Sequence, residues 1–511
     1  MRRIGIDVGG TNTDAVLVED DTILGSIKTP TTRDVMSGIS QALHGVLENT
    51  GADPGSLDAV MIGTTHFTNA VAQRRDVSPV AAVRICLPSS ASLEPFIDWP
   101  ADLAEIVLGE VFMLEGGHEF DGRPLVPFDE DGMRSAARRI KEAGFGAVGI
   151  TSVFSPLSSE LEDRAAEIMA EEAPDVAVTL SHTLGRIGLL ERENATLLNA
   201  SLQELAYTTT DAFVRAIEAS GITAQLYLTQ NDGTVMLADV ARKFPVFSFA
   251  SGPTNSMRGA AFLSKLTDAM VVDVGGTTTD VGMLRNGFPR EANNIVEIGG
   301  VRTLFRMPDL LSIALGGGTL VQQEPLKVGP ESTGYQLLER GIVFGGEELT
   351  ATDIAVTAGL IDLGDAAKVA DLPRDQVNEA LGAMHEMAAV AIDRMKTEAG
   401  DVPVIAVGGG AFLVPDKIAG VSEVIHVEHA GVANAVGAAI AQISGECDQI
   451  FQGMGREAVI AEARKIAEDR AVAAGADRDS LQTVEVEDLP LAYMPGDSLR
   501  ARVRVVGDIA A

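Results

Sequence analysis

Cysteine is nearly missing from this 511-residue chain: Cys86 and Cys447 are the only two, with no Cys-x-x-Cys spacing. Two such residues cannot form a disulfide framework, and the composition fits a reducing compartment, so a cytoplasmic protein is expected. Aromatic residues are equally scarce, at 4% with a single tryptophan. The core must then be aliphatic, which favours α/β packing of Val, Ile, Leu and Ala. Positive charge is short as well: 39 Lys and Arg against 73 Asp and Glu leave a net charge of −34. A phosphate backbone would be repelled and no basic patch offsets this, since Arg74 and Arg75 read as a solvated face; no nucleic-acid partner is expected. No apolar run approaches a membrane span, and the start MRRIGIDVGG reaches glycine and aspartate too soon for a signal peptide.

What the chain has in quantity is glycine, 53 residues, beside a hydrophobic content of 46%. That is a globular, turn-rich composition, and 511 residues exceed a single core, so two domains with an appendage are expected. The element pattern divides likewise. GIDVGGTNTD (5–14), AVLVED (15–20) and TILGSIKTP (22–30) form a strand meander, followed by helical periodicity over 33–50 and strands at 57–65, 78–87 and 145–155. VVDVGGTTTD (271–280) then nearly reprints the first turn, with an NG turn after it and a third strand expected at NNIVEIGG (293–300). A late strand, VPVIAVGGGA (402–411), runs into three glycines, and a helical stretch over 186–220 separates the halves. The expected fold is α/β: two similar domains, 1–185 and 186–450, flanking a cleft, then a C-terminal α+β appendage at 451–511.

The repeated turn has its own chemistry. Consecutive glycines permit positive φ and leave no side chain, so backbone N–H groups can converge on an anion, and the neighbouring hydroxyls add donors. The candidate phosphate cradles are therefore Gly9, Gly10, Thr11, Asn12 and Thr13 in one half, and Gly275, Gly276, Thr277, Thr278 and Thr279 in the other. Asp7 and Asp273, just ahead of each cradle, would repel bare phosphate, so they are the candidate catalytic residues that hold a divalent cation. Asp14 and Asp280 begin the return strands and could position water, cation or loop. A lone Asp-x-Gly-Gly-Thr is more often a structural hairpin, but two of them can grip one nucleotide across a cleft.

Paired hairpins of this kind resemble the actin, sugar-kinase and Hsp70 superfamily, whose members clamp ATP between two domains. By that resemblance VGGGA (407–411) supplies the adenosine turn, with Gly408, Gly409 and Gly410 admitting the nucleoside. IGTTHFTNAVAQRRD (62–76), SHTLGRIGLLERENATLLNASL (181–202), SFASGP (248–253), ALGGGTL (314–320), VGPESTG (328–334), LTATDIAVTAG (349–359) and GVANAVGAAIAQ (431–442) are similar, in order, to blocks of the hydantoinase and 5-oxoprolinase A family (N-methylhydantoinase A-like), over roughly residues 4–442. The chain departs from that pattern at TGYQLLERGIVFGGEELT after GPES, at QNDGTVM (230–236) and at His66 and Phe67, which puts the substrate in doubt.

The resemblance implies ATP and magnesium as cofactors, with transfer of the γ-phosphoryl group to the carbonyl oxygen of a cyclic amide (hydantoin, 5-oxoproline or a related lactam). It also implies a B-type partner subunit in a hetero-oligomer, because in that family the water step belongs largely to a separate B subunit. Two alternatives stay open: a ketone carboxylase subunit of the acetone carboxylase type, and a chaperone-like or reactivating ATPase. Other candidates weigh less. His426 and His429 have an i, i+3 spacing on a strand-like pattern, and Ser181 and His182 lack an identifiable acidic orienter. Ser251 reads as a turn support, Asn434 as structural, and Arg186, Arg192 and Glu193 as either cleft lining or salt bridges.

Overall fold

The computed structural model describes residues 1–9, 12–30, 35–185, 187–292, 295–491 and 498–510. The first hairpin is β1 (Arg2–Val8) with β2 (Asn12–Glu19), continued by β3 (Thr22–Pro30), and β4 (Ala59–Thr64) lies parallel to β1 on its other side. Four strands, β5 (Val80–Leu87), β6 (Leu108–Glu115), β7 (Ala147–Ser152) and β8 (Ala177–Leu180), make a separate parallel sheet in the order β6-β5-β7-β8. Its central strands, β5 and β7, are buried almost throughout because both faces are covered. β9 (Gln225–Thr229) and β10 (Val235–Leu237) then return to the first sheet, β9 running parallel to β4.

The second hairpin, β11 (Ala269–Val274) with β12 (Thr279–Arg285), copies the register of the first: Asp273 faces Asp280 as Asp7 faces Asp14. The NG turn after it places Asn286 and Gly287 at φ 52° and 77° and leads into β13 (Phe288–Pro289). The third strand expected at 293–300 is displaced. Asn293 and Asn294 lie outside the described residues, and β14 (Val296–Ile298) pairs only with β15 (Val301–Thr303). β16 (Leu310–Ile313) takes the place beside β12 instead. After a two-stranded ribbon, β17 (Thr319–Gln323) and β18 (Leu326–Ser332), come β19 (Val402–Val407), parallel to β11 as β4 is to β1, and β20 (Val421–His426).

The last strands, β21 (Ile443–Phe451), β22 (Gln482–Pro490) and β23 (Leu499–Gly507), complete a nine-stranded sheet ordered β22-β23-β21-β10-β9-β4-β1-β2-β3. The C-terminal segment has its expected helix, Arg456–Ala473, and two strands, but they extend the first sheet. The expected division at 185/186 is likewise crossed by β9 and β10. The physical reason is the edge of β9–β10: β10 is only three residues long and is covered by the longer β21, which β23 covers in turn. The helical stretch over 186–220 is two helices, Leu189–Ser201 and Gln203–Ala219, with Leu202 between them.

Two helices of small residues lie between the hairpin sheets. Ala435, Val436 and Ala439 of the helix Ala433–Ala439 pack against Val16 and Val18 of the first sheet. Met257 and Ala260 of the helix Ser251–Ser264 pack against Val271, Ile405 and Val407 of the second. Where they meet each other, a Cβ on Gly437 would lie 1.8 Å from the Asn255 carbonyl oxygen, and one on Gly259 would lie 1.9 Å from that of Ala433. Backbone must therefore touch backbone. Gly437→Ala is expected to cost about 3 kcal/mol or more through overpacking. Gly382→Ala, whose Cβ would meet open space on the helix Arg374–Met395, should instead stabilise by roughly 0.5–1 kcal/mol. Thermal unfolding of the two variants checks the pair.

Candidate functional site

Both hairpin turns close in the same way. The Gly9 N–H donates to the Asn12 carbonyl at 3.0 Å, and the Gly275 N–H to the Thr278 carbonyl at 2.9 Å. They converge on one cavity of about 320 Å³ whose walls include Gly9, Asn12, Gly275, Gly276 and the turn Gly408–Gly410. Gly10 and Thr11 lie outside the described residues. The expected donor set is reduced by use elsewhere. The Gly9 and Gly275 amides are spent on turn closure, and the Thr279 hydroxyl donates to the Leu315 carbonyl at 2.6 Å. Thr13 is buried, Thr277 and Thr278 are exposed, and none of these three lines the cavity. Among the described residues, the N–H groups of Gly276 and Gly409 meet no acceptor, and both residues face the cavity.

The two aspartates are not equivalent. Asp273 lies on the cavity wall, whereas Asp7 is buried behind Asn434, whose Nδ2 donates to Asp7 Oδ2 at 2.8 Å. Each has a glycine beside it, Gly63 on the adjacent parallel strand β4 and Gly408 just past the end of β19: a Cβ on Gly63 would lie 2.7 Å from Asp7 Oδ1, and one on Gly408 would lie 2.3 Å from Asp273 Oδ1. One helix serves both carboxylates, with Asn255 beside Asp7 and Ser256 hydrogen-bonded to Asp273. Consecutive helical residues point about 100° apart, so a helix between two sheets can address both.

Burial pushes the Asp7 carboxyl up to about 7, the Asp14 charge pushes the same way, and the Asn255 and Asn434 amides oppose them. Burial likewise pushes Asp273 up to about 6, against its bond from Ser256. Asp14 and Asp280 are also raised by burial, although Lys28 bonds Asp14 at 2.6 Å and Ser312 donates to Asp280. Lys28 is the single cation among the described residues of the wall. Asp7 Oδ1 is buried and accepts no hydrogen bond of good geometry.

An orphaned carboxylate oxygen amid four carboxyls that resist ionisation fits a divalent cation. No three His, Cys, Asp or Glu side chains converge on a point among the described residues.

Asn434, Ser256, Lys28 and the loop glycine Gly317 are site residues that sequence reasoning missed or set aside. An asparagine on a small-residue helix was the one signal available for the first of them. Ser181 and His182 do have an acidic partner, a correction to the sequence reading: buried Glu162 accepts from the Ser181 hydroxyl at 2.5 Å and bonds His182 Nδ1 at 2.8 Å. The two still do not bond each other, and Ser181 is fully buried. Arg192 is buried and donates to Ser181 Oγ and the Ser152 carbonyl, while Glu193 pairs with Arg84. Arg186 lies outside the described residues. The Ser251 hydroxyl donates to the Thr64 carbonyl at 2.9 Å, bracing the turn after β4. Phe67 is core, and His66 beside it is half-buried.

Two family models cover this frame: the hydantoinase/oxoprolinase N-terminal region matches residues 3–173, and hydantoinase/oxoprolinase matches residues 192–399. The chain belongs to the hydantoinase/oxoprolinase family. Among its relatives is the caprolactamase subunit alpha of Pseudomonas jessenii, 26% identical over 440 residues, which are 76% of this chain and 60% of that one. The acetophenone carboxylase gamma subunit of Aromatoleum aromaticum is 27% identical over 405 residues, 71% of this chain and 54% of that one. The chain thus spans between 54% and 62% of the length of the curated relatives it matches.

The crystal structure of the ATP-dependent caprolactamase from Pseudomonas jessenii superposes with a TM-score of 0.80 at 18% identity, over 99% of this chain and 87% of that one. The fold of this hydantoinase/oxoprolinase family member is therefore the two-domain, actin-like α/β architecture. No helix among the described residues is long and apolar enough to cross a membrane.

The raised carboxyls give the site a stability signature. With the folded-state values of Asp7 and Asp273 near 7 and 6, the native protein holds more protons than the unfolded chain between about pH 4 and 7. Their contribution is present at low pH and is lost as pH rises through those values, with a slope of up to about 1.4 kcal/mol per pH unit for each full proton. Asp7→Asn should therefore raise the Tm of the metal-free and nucleotide-free protein more at pH 8 than at pH 5. Equal shifts at the two pH values, by scanning fluorimetry, would contradict the assignment.

Proposed function

We propose that the chain is the ATP-binding subunit of an enzyme that activates a cyclic amide, a hydantoin, 5-oxoproline or related lactam, by phosphorylating its carbonyl oxygen. The observation that carries this reading is the convergence of two register-matched Asp–Gly-Gly hairpins and a third glycine turn on one cavity with Asp273 on its wall. The caprolactamase relative supports the substrate class. The Gly276 and Gly409 N–H groups, on the cavity lining, would donate to phosphate oxygens, as such turns do elsewhere. Ser256 and Asn434 orient Asp273 and Asp7, and Lys28 offsets Asp14. Asp7, with its unpartnered Oδ1, and Asp273 would hold magnesium, which would neutralise the charge that builds on the transferring phosphoryl group.

Transfer forms a P–O bond to the amide oxygen as the bond to ADP breaks. The product has lost amide resonance, so water adds at carbon, the C–N bond breaks with its electron pair and a proton going to nitrogen, and a second water hydrolyses the resulting acyl phosphate to phosphate and the opened acid. The water steps are assigned to a B-type partner subunit in a hetero-oligomer, as the family resemblance implies. Ketone carboxylation is the second reading, favoured by the acetophenone carboxylase relative. There the same transfer would activate an enol oxygen.

Two measurements test this reading. A side chain on Gly409 would meet open space, so Gly409→Val should keep the parent Tm yet weaken magnesium-ATP binding at least tenfold, about 1.4 kcal/mol, by calorimetry. Unchanged affinity would remove the nucleotide from this cavity. The chain alone should open no lactam; with its cognate partner, ring opening should accompany ADP formation near one to one. Product formed from ketone and bicarbonate, with lactams inert, would favour the second reading.

A further inference from the structure

A larger cavity, about 460 Å³, lies where residues 182–185, the β9–β10 connection and the C-terminal strands meet, and among the described residues it shares no lining residue with the hairpin cavity. Its size is that of a small-molecule pocket. One wall is apolar and aromatic: Phe244 and Phe247, with ring centroids 5.4 Å apart, and Phe305. That is notable in a chain with only 4% aromatics.

The charges on the lining decide what polarity it takes. Asp232 is met by Arg306 and by Arg504 at 3.4 Å, Glu446 by Arg306 and by Arg502 at 2.7 Å, and Asp448 by Arg500 at 2.7 Å. Every lining carboxylate is thus neutralised. Arg470 is different. Its Nη1 donates to the Glu446 carbonyl at 2.6 Å, and it meets no carboxylate among the described residues. Its guanidinium keeps donors to spare, in a fork that matches a carboxylate. His182, fixed by Glu162 through Nδ1, adds a second polar group to the lining.

We propose that this cavity is a second ligand site, which takes a small carboxylate with an apolar body, its carboxylate on Arg470 and its body against Phe244, Phe247 and Phe305. The pattern of one uncompensated cation beside an aromatic wall carries this assignment, independently of the reading of the hairpin cavity. If that reading holds, the ligand has a natural source. A carboxylated ketone is a small carboxylate with an apolar body, and an opened aliphatic lactam is one that also ends in an ammonium, so for those substrates the site would hold product.

Calorimetry on the full, nucleotide-free chain would use hexanoate and benzoate as probes. Saturable binding at one site per chain is expected, with uncharged hexanamide at least tenfold weaker, the factor that about 1.4 kcal/mol makes. Arg470→Gln and Phe247→Ala should each weaken hexanoate at least as much, and Arg470→Gln, on an exposed helical surface, should leave Tm and magnesium-ATP affinity unchanged. Saturating magnesium-ATP should not displace hexanoate. Absence of saturable heat at millimolar probe, equal binding of hexanamide, or parent affinity in Arg470→Gln would overturn the site. Failure of ATP to bind the hairpin cavity would leave these results intact and remove only the product interpretation.

Discussion

The close approach of two helices, Ser251–Ser264 and Ala433–Ala439, is the constraint on which the rest of the site depends. Gly259 and Gly437 let backbone meet backbone there, and both helices fit between two sheets that each begin with a hairpin. Only at that separation can consecutive residues, Asn255 and Ser256, reach one aspartate in each half. Asn434 closes the arrangement from the second helix by bonding Asp7. Larger residues at these contacts would push the sheets apart and leave two unrelated turns.

This closeness has an electrostatic cost. Four carboxyls, Asp7, Asp14, Asp273 and Asp280, are drawn into a poorly solvated space, and all four titrate above their ordinary values. A fold that tolerates such a group gains nothing from it when empty; under the proposed function a bound cation would offset the repulsion. The asymmetry between the halves fits that purpose. Asp273 is on the cavity wall and Asp7 is shielded by an amide, so the duplicated hairpins have diverged in what they present, though not in their register.

The C-terminal strands do more than finish an edge. Arg502 and Arg504 of β23 reach Glu291 and Asp232, tying the last strand to residues before and after the second hairpin. Buried ion networks of this sort hold a particular arrangement more than they add stability. The same strands wall the larger cavity, which does not exist without them.

Much of this was legible in the sequence. The two hairpins, their glycine turns and the parallel strand beside each follow from local alternation and turn chemistry, and their duplication suggested a shared cleft. The order of the nine-stranded sheet was not legible, because an edge is filled by whichever strand can reach it, and that strand came from 200 residues away, Ile443 against Val235. Nor were the partners of the charged groups. Lys28, Ser256 and Asn434 carry no motif, and Glu162 lies 20 residues from His182. By itself, the sequence determined the turns that converge on a cavity and the carboxylates ahead of them, since φ and strand period are local. Tertiary structure alone decided which carboxylate is exposed, which donors stay unspent and where a second cavity opens, since burial and pairing belong to neighbours distant along the chain.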